Sequence, residues 1–186
     1  ASINDGSSLD DPARISEVAR SARIELKGEP DSLRVFLNGD DVSDAIRTLE
    51  IAQAASVVST ISDVRKTMVE LQRRLGEESP AGCVLEGRDI GTVVFPNADI
   101  KFFLTAKPEA RARRRFDEDK TKGRVSTYEQ TLAEINERDA RDVSRSDSPL
   151  TIADDAVVID TSELDLSEVF DQMVGKINEK RTAAAL

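Results

Sequence analysis

An arginine and an aspartate stand side by side between two glycines, where residues 87–91 read Gly-Arg-Asp-Ile-Gly. The apolar run before them, residues 83–85, predicts a buried strand that ends at this point. Because glycine tolerates backbone angles that other residues avoid, the two glycines predict a sharp bend. Ligands of open α/β sheets sit at strand ends. A fixed cation (Arg88) beside a fixed carboxylate (Asp89) there suits a ligand that is anionic at one end and offers hydrogen-bond donors at the other, as a nucleotide does.

A second charged group follows in residues 134–145. On a helix, Arg138, Asp142 and Arg145 are spaced i, i+4 and i+7 and share one face. Such a run is often only a solvated face of ion pairs, and that reading stays open. The low apolar content near the end of this helix, and the loop of residues 146–149 directly after it, favour a binding role.

Two further features of the sequence are weaker indications of function. Four arginines on a helix opened by Pro108 could pair with carboxylates downstream or clamp phosphates, for which the planar guanidinium fork is suited. Ser56 and Arg65 are nine positions apart on helical segments, and alone such a pair indicates only packing and a surface charge. The four arginines are Arg111, Arg113, Arg114 and Arg115.

The elements that must position these residues follow from periodicity. A helix is predicted from Pro12 through Ala19, and an Asn-Gly turn at residues 38–41 follows two short strands. Strands and long helices then alternate, which indicates an α/β fold: a parallel sheet with helices on both faces. The predicted strands are residues 22–26, 33–37, 83–85, 100–104 and 156–160; the helical segments are 43–75 (with a break at 60–62), 108–120, 127–143 and 167–180, before a frayed tail at 181–186.

Composition limits the function classes. The chain has 186 residues and a formal net charge of -10, which argues against nucleic acid or an anionic membrane surface as partner. The one cysteine, Cys83, rules out an intramolecular disulfide, is expected to pack inertly in its strand, and fits a reducing compartment, so a cytoplasmic protein is expected. With no histidine, acid–base or metal chemistry at an imidazole is excluded.

Taken together, four elements resemble the bacterial cytidylate kinases, in the family's order and spacing. The Gly-Arg-Asp-Ile-Gly-Thr-Val-Val-Phe-Pro string is the most specific of them. The elements are residues 85–96, residues 138–142 with Arg145, the pair Ser56 and Arg65, and residues 36–48. The resemblance implies the fold of a nucleoside monophosphate kinase. Residues 1–80 would form a strand-containing region that binds the monophosphate, 81–106 and 147–186 the core, and 107–146 a helical lid.

The resemblance also implies roles for individual residues. The activity would be transfer of a phosphoryl group from ATP, with Mg²⁺, to CMP or dCMP, by a monomer whose partners are these small nucleotides and which has no dedicated metal-binding residues. Ser56, Arg65 and Asp89 would hold the cytosine, and Arg88 the acceptor phosphate. Arg138 and Asp142 would reach the sugar and the nearby phosphate. Arg145 would act at the transferring phosphates, and Arg114 would belong to the lid over ATP.

The chemistry of cytosine supports the role given to Asp89. A carboxylate accepts a hydrogen bond from the amino group of cytosine, whereas uracil presents a carbonyl oxygen there. One such pair discriminates by roughly 1–3 kcal/mol. Phosphoryl transfer itself needs mainly alignment and cations around a charge-spread transition state, which arginines and Mg²⁺ supply.

One family feature has no match. The sequence contains no G-x-x-x-x-G-K-[ST] phosphate loop, and the single Gly-Lys pair, Gly175 and Lys176, precedes Ile177 in a predicted late helix. The resemblance implies that the family's first strand and phosphate loop are absent from this sequence, which we expect to be part of a longer kinase, inactive without them. The residues that bind the ATP phosphates are therefore unassigned. Two alternatives stay open: a fragment that binds CMP without catalysis, and a structural role.

Overall fold

The computed structural model describes residues 1–80, 82–144 and 147–184. Contacts divide the chain into two compact units, Ala1–Cys83 and Val84–Leu186. Within the described residues, no helix combines the length and the apolar character needed to cross a membrane.

The first unit contains the α-helices α1 (Pro12–Ser21), α2 (Leu49–Val58) and α3 (Ser62–Glu77). Helix α1 begins where Asp11 Oδ1 accepts a hydrogen bond from the Arg14 amide at 3.0 Å, with a proline in the first turn. Helix α1 packs against α3. Ile15 and Val18 of α1 are buried, as is Val64 of α3, so the apolar core of this unit lies along these helices.

A small antiparallel sheet completes the first unit. Its strands β1 (Ile24–Lys27), β2 (Arg34–Leu37) and β3 (Asp40–Asp41) lie in that order. Between β2 and β3, Asn38 and Gly39 have φ angles of 54° and 97°. Two positive φ values in succession are what a two-residue Asn-Gly hairpin requires, so the predicted turn is confirmed.

The second unit alternates strand and helix. Its elements are β4 (Phe102–Thr105), α4 (Pro108–Thr121), α5 (Tyr128–Ser144), β5 (Val157–Asp160) and α6 (Leu166–Ala184). The two strands pair in parallel, with Phe102 opposite Val157 and Thr105 opposite Asp160. Helices α4 and α5 connect the strands and pack against each other. A parallel strand pair joined through helices confirms the α/β class.

The prediction of a buried strand at residues 83–85 is wrong. Val84 is fully exposed, Cys83 is exposed as well, and the backbone there is irregular. Among the described residues no strand pairs with this run, and an apolar run without a ladder partner gains nothing from an extended conformation. The inert, buried environment expected for Cys83 is therefore wrong too.

Two predicted helix ends differ in detail. The α-helix α2 begins only after its N-cap Thr48, whose Oγ1 accepts from the Ile51 amide at 3.3 Å, and before it Ala45–Arg47 form a separate short 3-10 helix. At the other end of the chain, α6 continues to Ala184, so the tail expected to fray from residue 181 is helical over 181–184. Arg181 lies in the last turn, where a cation stabilises the helix dipole. Gly175 and Lys176 lie inside α6, as expected of a chance match to the phosphate-loop motif.

Candidate functional site

The glycine-flanked bend leads into one turn of π-helix, Ile90–Val94. The carbonyl oxygen of Asp89 accepts from the amides of Val93 at 2.8 Å and Val94 at 3.2 Å. Val94 is 1% exposed, so the turn is anchored in the core of the second unit. Short π-helical turns occur frequently at functional sites. The backbone at Asp89 is thus fixed by the turn that follows it.

At Gly87 and Gly91 the structure favours a residue without a side chain because neighbouring side chains lie close, and not because the backbone adopts an unusual conformation. Neither Gly87 nor Gly91 has a positive φ, so the predicted reason for them is wrong. A Cβ atom at Gly87 would lie 2.8 Å from Ile90 Cγ1, and one at Gly91 would lie 3.2 Å from Lys101 Cδ. A larger residue would force the Ile90 side chain to move at position 87 and would sit tightly against the Lys101 stem at position 91.

Three charged side chains meet in the second unit, and we call them the acceptor cluster: Arg88, Arg138 and Asp142. Arg88 Nε lies 2.9 Å from Asp142 Oδ2, and Arg138 Nε lies 4.0 Å from the same oxygen. The Asp142 side chain is 13% exposed, whereas that of Arg88 is 41% exposed. The predicted shared face of Arg138 and Asp142 on α5 is therefore present. Arg145 lies outside the described residues.

The acceptor cluster carries more positive than negative charge. Burial, together with repulsion from Arg88, lowers the pKa of the Arg138 guanidinium, and the Asp142 carboxylate opposes this shift. An arginine remains cationic at neutral pH despite such a shift. Two guanidinium groups converging on one carboxylate leave a net positive charge, which suits an anion such as a phosphate.

Helix α5 is held in place by a second ion pair that the sequence did not reveal. Arg111 on α4 binds Asp139 with both ends of its guanidinium group, at 3.0 and 2.5 Å. Arg111 Nε also donates to the Ala106 carbonyl, just after β4, at 3.1 Å. The hydrogen bonds from Arg111 lower the pKa of Asp139. Because Asp139 adjoins Arg138, this pair helps to set which face of α5 the acceptor cluster occupies.

The other arginines of α4 contact protein groups. Arg114 donates to Thr161 Oγ1 at 3.1 Å, to the Thr161 carbonyl, and to the Leu164 carbonyl at 3.2 Å. It thereby ties α4 to the residues after β5. Arg113 lies over the ring of Tyr128 at 4.8 Å, as a cation–π contact. The role of Arg114 over ATP stays a prediction.

Ser56 and Arg65 lie in the first unit, at the junction of α2 and α3. Arg65 Nη1 donates to the Ser59 carbonyl at 3.2 Å, and Ser59 Oγ donates to the Ser56 carbonyl at 2.8 Å. Both residues are half-buried. The connection between α2 and α3 therefore fixes the distance between Ser56 and Arg65. The role of these two residues in binding a base stays a prediction.

A magnesium ion finds no protein-built site in the part of the chain that the structure describes. There, no three histidine, cysteine or acidic side chains come together as metal ligands. Asp142, the buried carboxylate of the acceptor cluster, is already paired with arginine. In nucleotide enzymes Mg²⁺ is bound largely by the phosphates and water. The described residues do not fit a magnesium site of their own.

Known proteins match this chain over most of its length. Residues 1–179 match the family model described as Cytidylate kinase. The chain is 48% identical over 177 residues to the cytidylate kinase of Caldanaerobacter subterraneus subsp. tengcongensis, covering 95% of this chain and 76% of that protein. It is 45% identical over 180 residues to the cytidylate kinase of Halalkalibacterium halodurans and 42% identical over 180 residues to that of Bacillus subtilis, each match covering 97% of this chain and 80% of the relative.

Proposed function

This chain belongs to the cytidylate kinase family, and from this premise we propose that it transfers a phosphoryl group from ATP to CMP or dCMP, giving CDP or dCDP. The observation that carries the proposal is the acceptor cluster, where Arg88 and Arg138 converge on Asp142. Phosphoryl transfer relies on positioned cations and on alignment more than on covalent chemistry by the protein. The acceptor cluster would supply the positioned cations and the alignment at one place.

Arg88 is the proposed ligand of the acceptor phosphate. Its Nε lies 2.9 Å from Asp142 Oδ2 as an ion pair. The two Nη atoms carry four more N–H donors in the same plane, a geometry that matches phosphate oxygens. The ion pair with Asp142 keeps the guanidinium group of Arg88 close to α5, and we propose that Asp142 also accepts a hydrogen bond from the sugar. Arg138 would neutralise charge on the nearby phosphate.

Base recognition is assigned to Asp89, Ser56 and Arg65. Asp89 would accept from the cytosine amino group, and its fixed backbone supports a fixed side-chain direction. Ser56 and Arg65 would donate to the ring acceptors N3 and O2. Since uracil offers a carbonyl oxygen to Asp89, CMP should be preferred over UMP by roughly 1–3 kcal/mol.

Donor-side assignments follow the family premise. Helices α4 and α5 would form the lid over ATP, with Arg114 on α4 and Arg145 after α5. Mg²⁺ would arrive with ATP and, when bound, neutralise phosphate charge. We propose that the protein acts as a monomer on small nucleotides in the cytoplasm. Its formal net charge of -10 supports the absence of nucleic acid and of anionic membrane among its partners.

A second candidate function is CMP binding without transfer. It is favoured by the described charged groups, since Arg88, Arg138 and Asp142 together suit an anion, while the residues that bind the ATP phosphates are unassigned.

Two measurements on the same protein separate the candidates. Incubation with ATP, Mg²⁺ and either CMP or UMP, followed by chromatography of the nucleotides, should give CDP in preference to UDP. Calorimetric titration with CMP in the absence of ATP reports binding alone. Binding without CDP formation supports the second candidate, and a protein that neither binds nor phosphorylates CMP contradicts both.

A further inference from the structure

Lys101, directly before β4, is a buried lysine with two bound partners. Its side chain is only 8% exposed, and Nζ lies 2.7 Å from Asp155 Oδ1 and 2.5 Å from the Pro96 carbonyl oxygen. A lysine is almost never buried without such partners, because losing the hydration of an ammonium group is costly. Asp155, in contrast, is 59% exposed.

The backbone of Lys101 is fixed as well. Its carbonyl oxygen accepts from the Val157 amide at 2.8 Å, which extends the pairing of β4 and β5 by one step. The side chain therefore projects from a rigid strand end, and its direction is set by the sheet.

The methylene stem of Lys101 passes close to Gly91. A Cβ atom at position 91 would lie 3.2 Å from Lys101 Cδ and 3.5 Å from Cγ. Gly91 lies inside the π-helical turn and Pro96 lies two residues after its end. One side chain thus supports the turn near its beginning and binds the backbone just after it.

This turn fixes the proposed acceptor residues. The Asp89 carbonyl accepts from the Val93 amide inside the turn, and Arg88 directly precedes Asp89. A displacement of the turn would therefore move both side chains. A shift of about 1 Å in a positioning group can cost roughly 100-fold in rate.

From these contacts we infer that Lys101 is a positioning residue for the acceptor site: through Gly91 and Pro96 it holds the turn that directs Arg88 and Asp89 toward the nucleotide. Lys101 acts without touching the nucleotide itself. The inference deepens the proposed function and rests on it. Asp155 balances the charge of the ammonium group, while the contacts to Gly91 and Pro96 transmit the effect.

The test replaces Lys101 by methionine, which keeps a long apolar stem and removes the ammonium group. CMP affinity is measured by calorimetry, ATP affinity in parallel, and the midpoint of thermal unfolding by circular dichroism. We expect Lys101→Met to weaken CMP binding by roughly tenfold or more, and ATP binding by less than about twofold. Ile159→Val is the matched control: Ile159 is 5% exposed in the same unit, so this change reduces packing without touching the turn.

Two further variants keep the test decisive if Lys101→Met fails to fold. Gly91→Ala leaves the ammonium group and its partners in place but presses on the stem, and it should weaken CMP binding selectively. Asp155→Asn removes the ion pair but keeps the bond to Pro96, and it should weaken CMP binding less than Gly91→Ala does.

The outcomes distinguish this inference from the proposed function. If the unsubstituted protein binds CMP and neither Lys101→Met nor Gly91→Ala changes CMP affinity more than Ile159→Val does, the inference is overturned and the proposed function stands. If the unsubstituted protein neither binds nor phosphorylates CMP, the proposed function is overturned and this inference with it.

Discussion

Arg88 Nε lies 2.9 Å from Asp142 Oδ2, which joins the glycine-flanked bend to helix α5. The carboxylate is largely buried and the guanidinium group is partly exposed. The pair therefore holds one cation at a defined position, with its Nη donors available to a phosphate.

This pair should show measurable coupling. In a double-mutant cycle of Arg88→Ala and Asp142→Asn, measured by urea unfolding, we expect a coupling free energy of about 1 kcal/mol, since one partner is exposed and screened. The control cycle uses Arg138→Ala with Asp142→Asn, whose atoms are 4.0 Å apart, and should give less than about 0.5 kcal/mol. Equal coupling in both cycles would mean that Asp142 interacts no more strongly with Arg88 than with Arg138.

Asp89 should determine the choice of base. Asp89→Asn should reduce the ratio of kcat/KM for CMP over UMP by roughly tenfold, because an amide can donate to the uracil carbonyl where a carboxylate cannot. Steady-state kinetics with both nucleotides measure the ratio. Glu86→Gln, an exposed neighbouring carboxylate, is the control and should leave the ratio unchanged. An unaltered ratio in Asp89→Asn would assign base reading to another residue.

The Arg111–Asp139 pair should stabilise the second unit. Both side chains are about two-thirds buried and the contact is bidentate, so Asp139→Asn should lower the free energy of unfolding by about 1–2 kcal/mol. Glu137→Gln is the control on the same helix: its pair with Arg141 spans 3.8 Å between exposed groups and should contribute less than about 0.5 kcal/mol. Equal losses from the two changes would contradict a special role for Asp139.

Acid should weaken the first unit through Asp41. Hydrogen bonds from the Ser43 hydroxyl, from Arg34 and from the Ser43 amide lower the pKa of Asp41 to about 2. A carboxylate with a depressed folded-state pKa contributes stability above its unfolded pKa, and this contribution disappears as the pH falls through the folded value. Unfolding followed from about pH 4 down to about pH 2 should show the loss, and Asp41→Asn should flatten it. Asp31→Asn, on an exposed turn, should leave the slope as it is.

Local sequence signals predict much of the fold and one of the two contacts in the acceptor cluster. Pro108 and the charge pattern after it predicted α4, and Asn38 with Gly39 predicted the hairpin turn, because both depend on neighbouring residues. The approach of Arg138 to Asp142 followed from helical spacing alone.

Contacts between distant segments were not predictable in this way. Lys101 and Asp155 are 54 positions apart and meet only because β4 and β5 pair in register. The strand expected at residues 83–85 failed for the related reason that a strand needs a partner, and no periodicity in the run itself reveals one. The sequence marks Gly91 as part of the bend, but the side chain that a larger residue would meet there, the stem of Lys101, belongs to another segment.

We propose that the bend at residues 87–91 binds a cytidine monophosphate. A crystal structure of the protein with CMP tests this proposal most directly. We expect a CMP phosphate oxygen within hydrogen-bond distance of the Arg88 guanidinium group, and the cytosine amino group donating to Asp89. A CMP molecule bound away from both residues would contradict it.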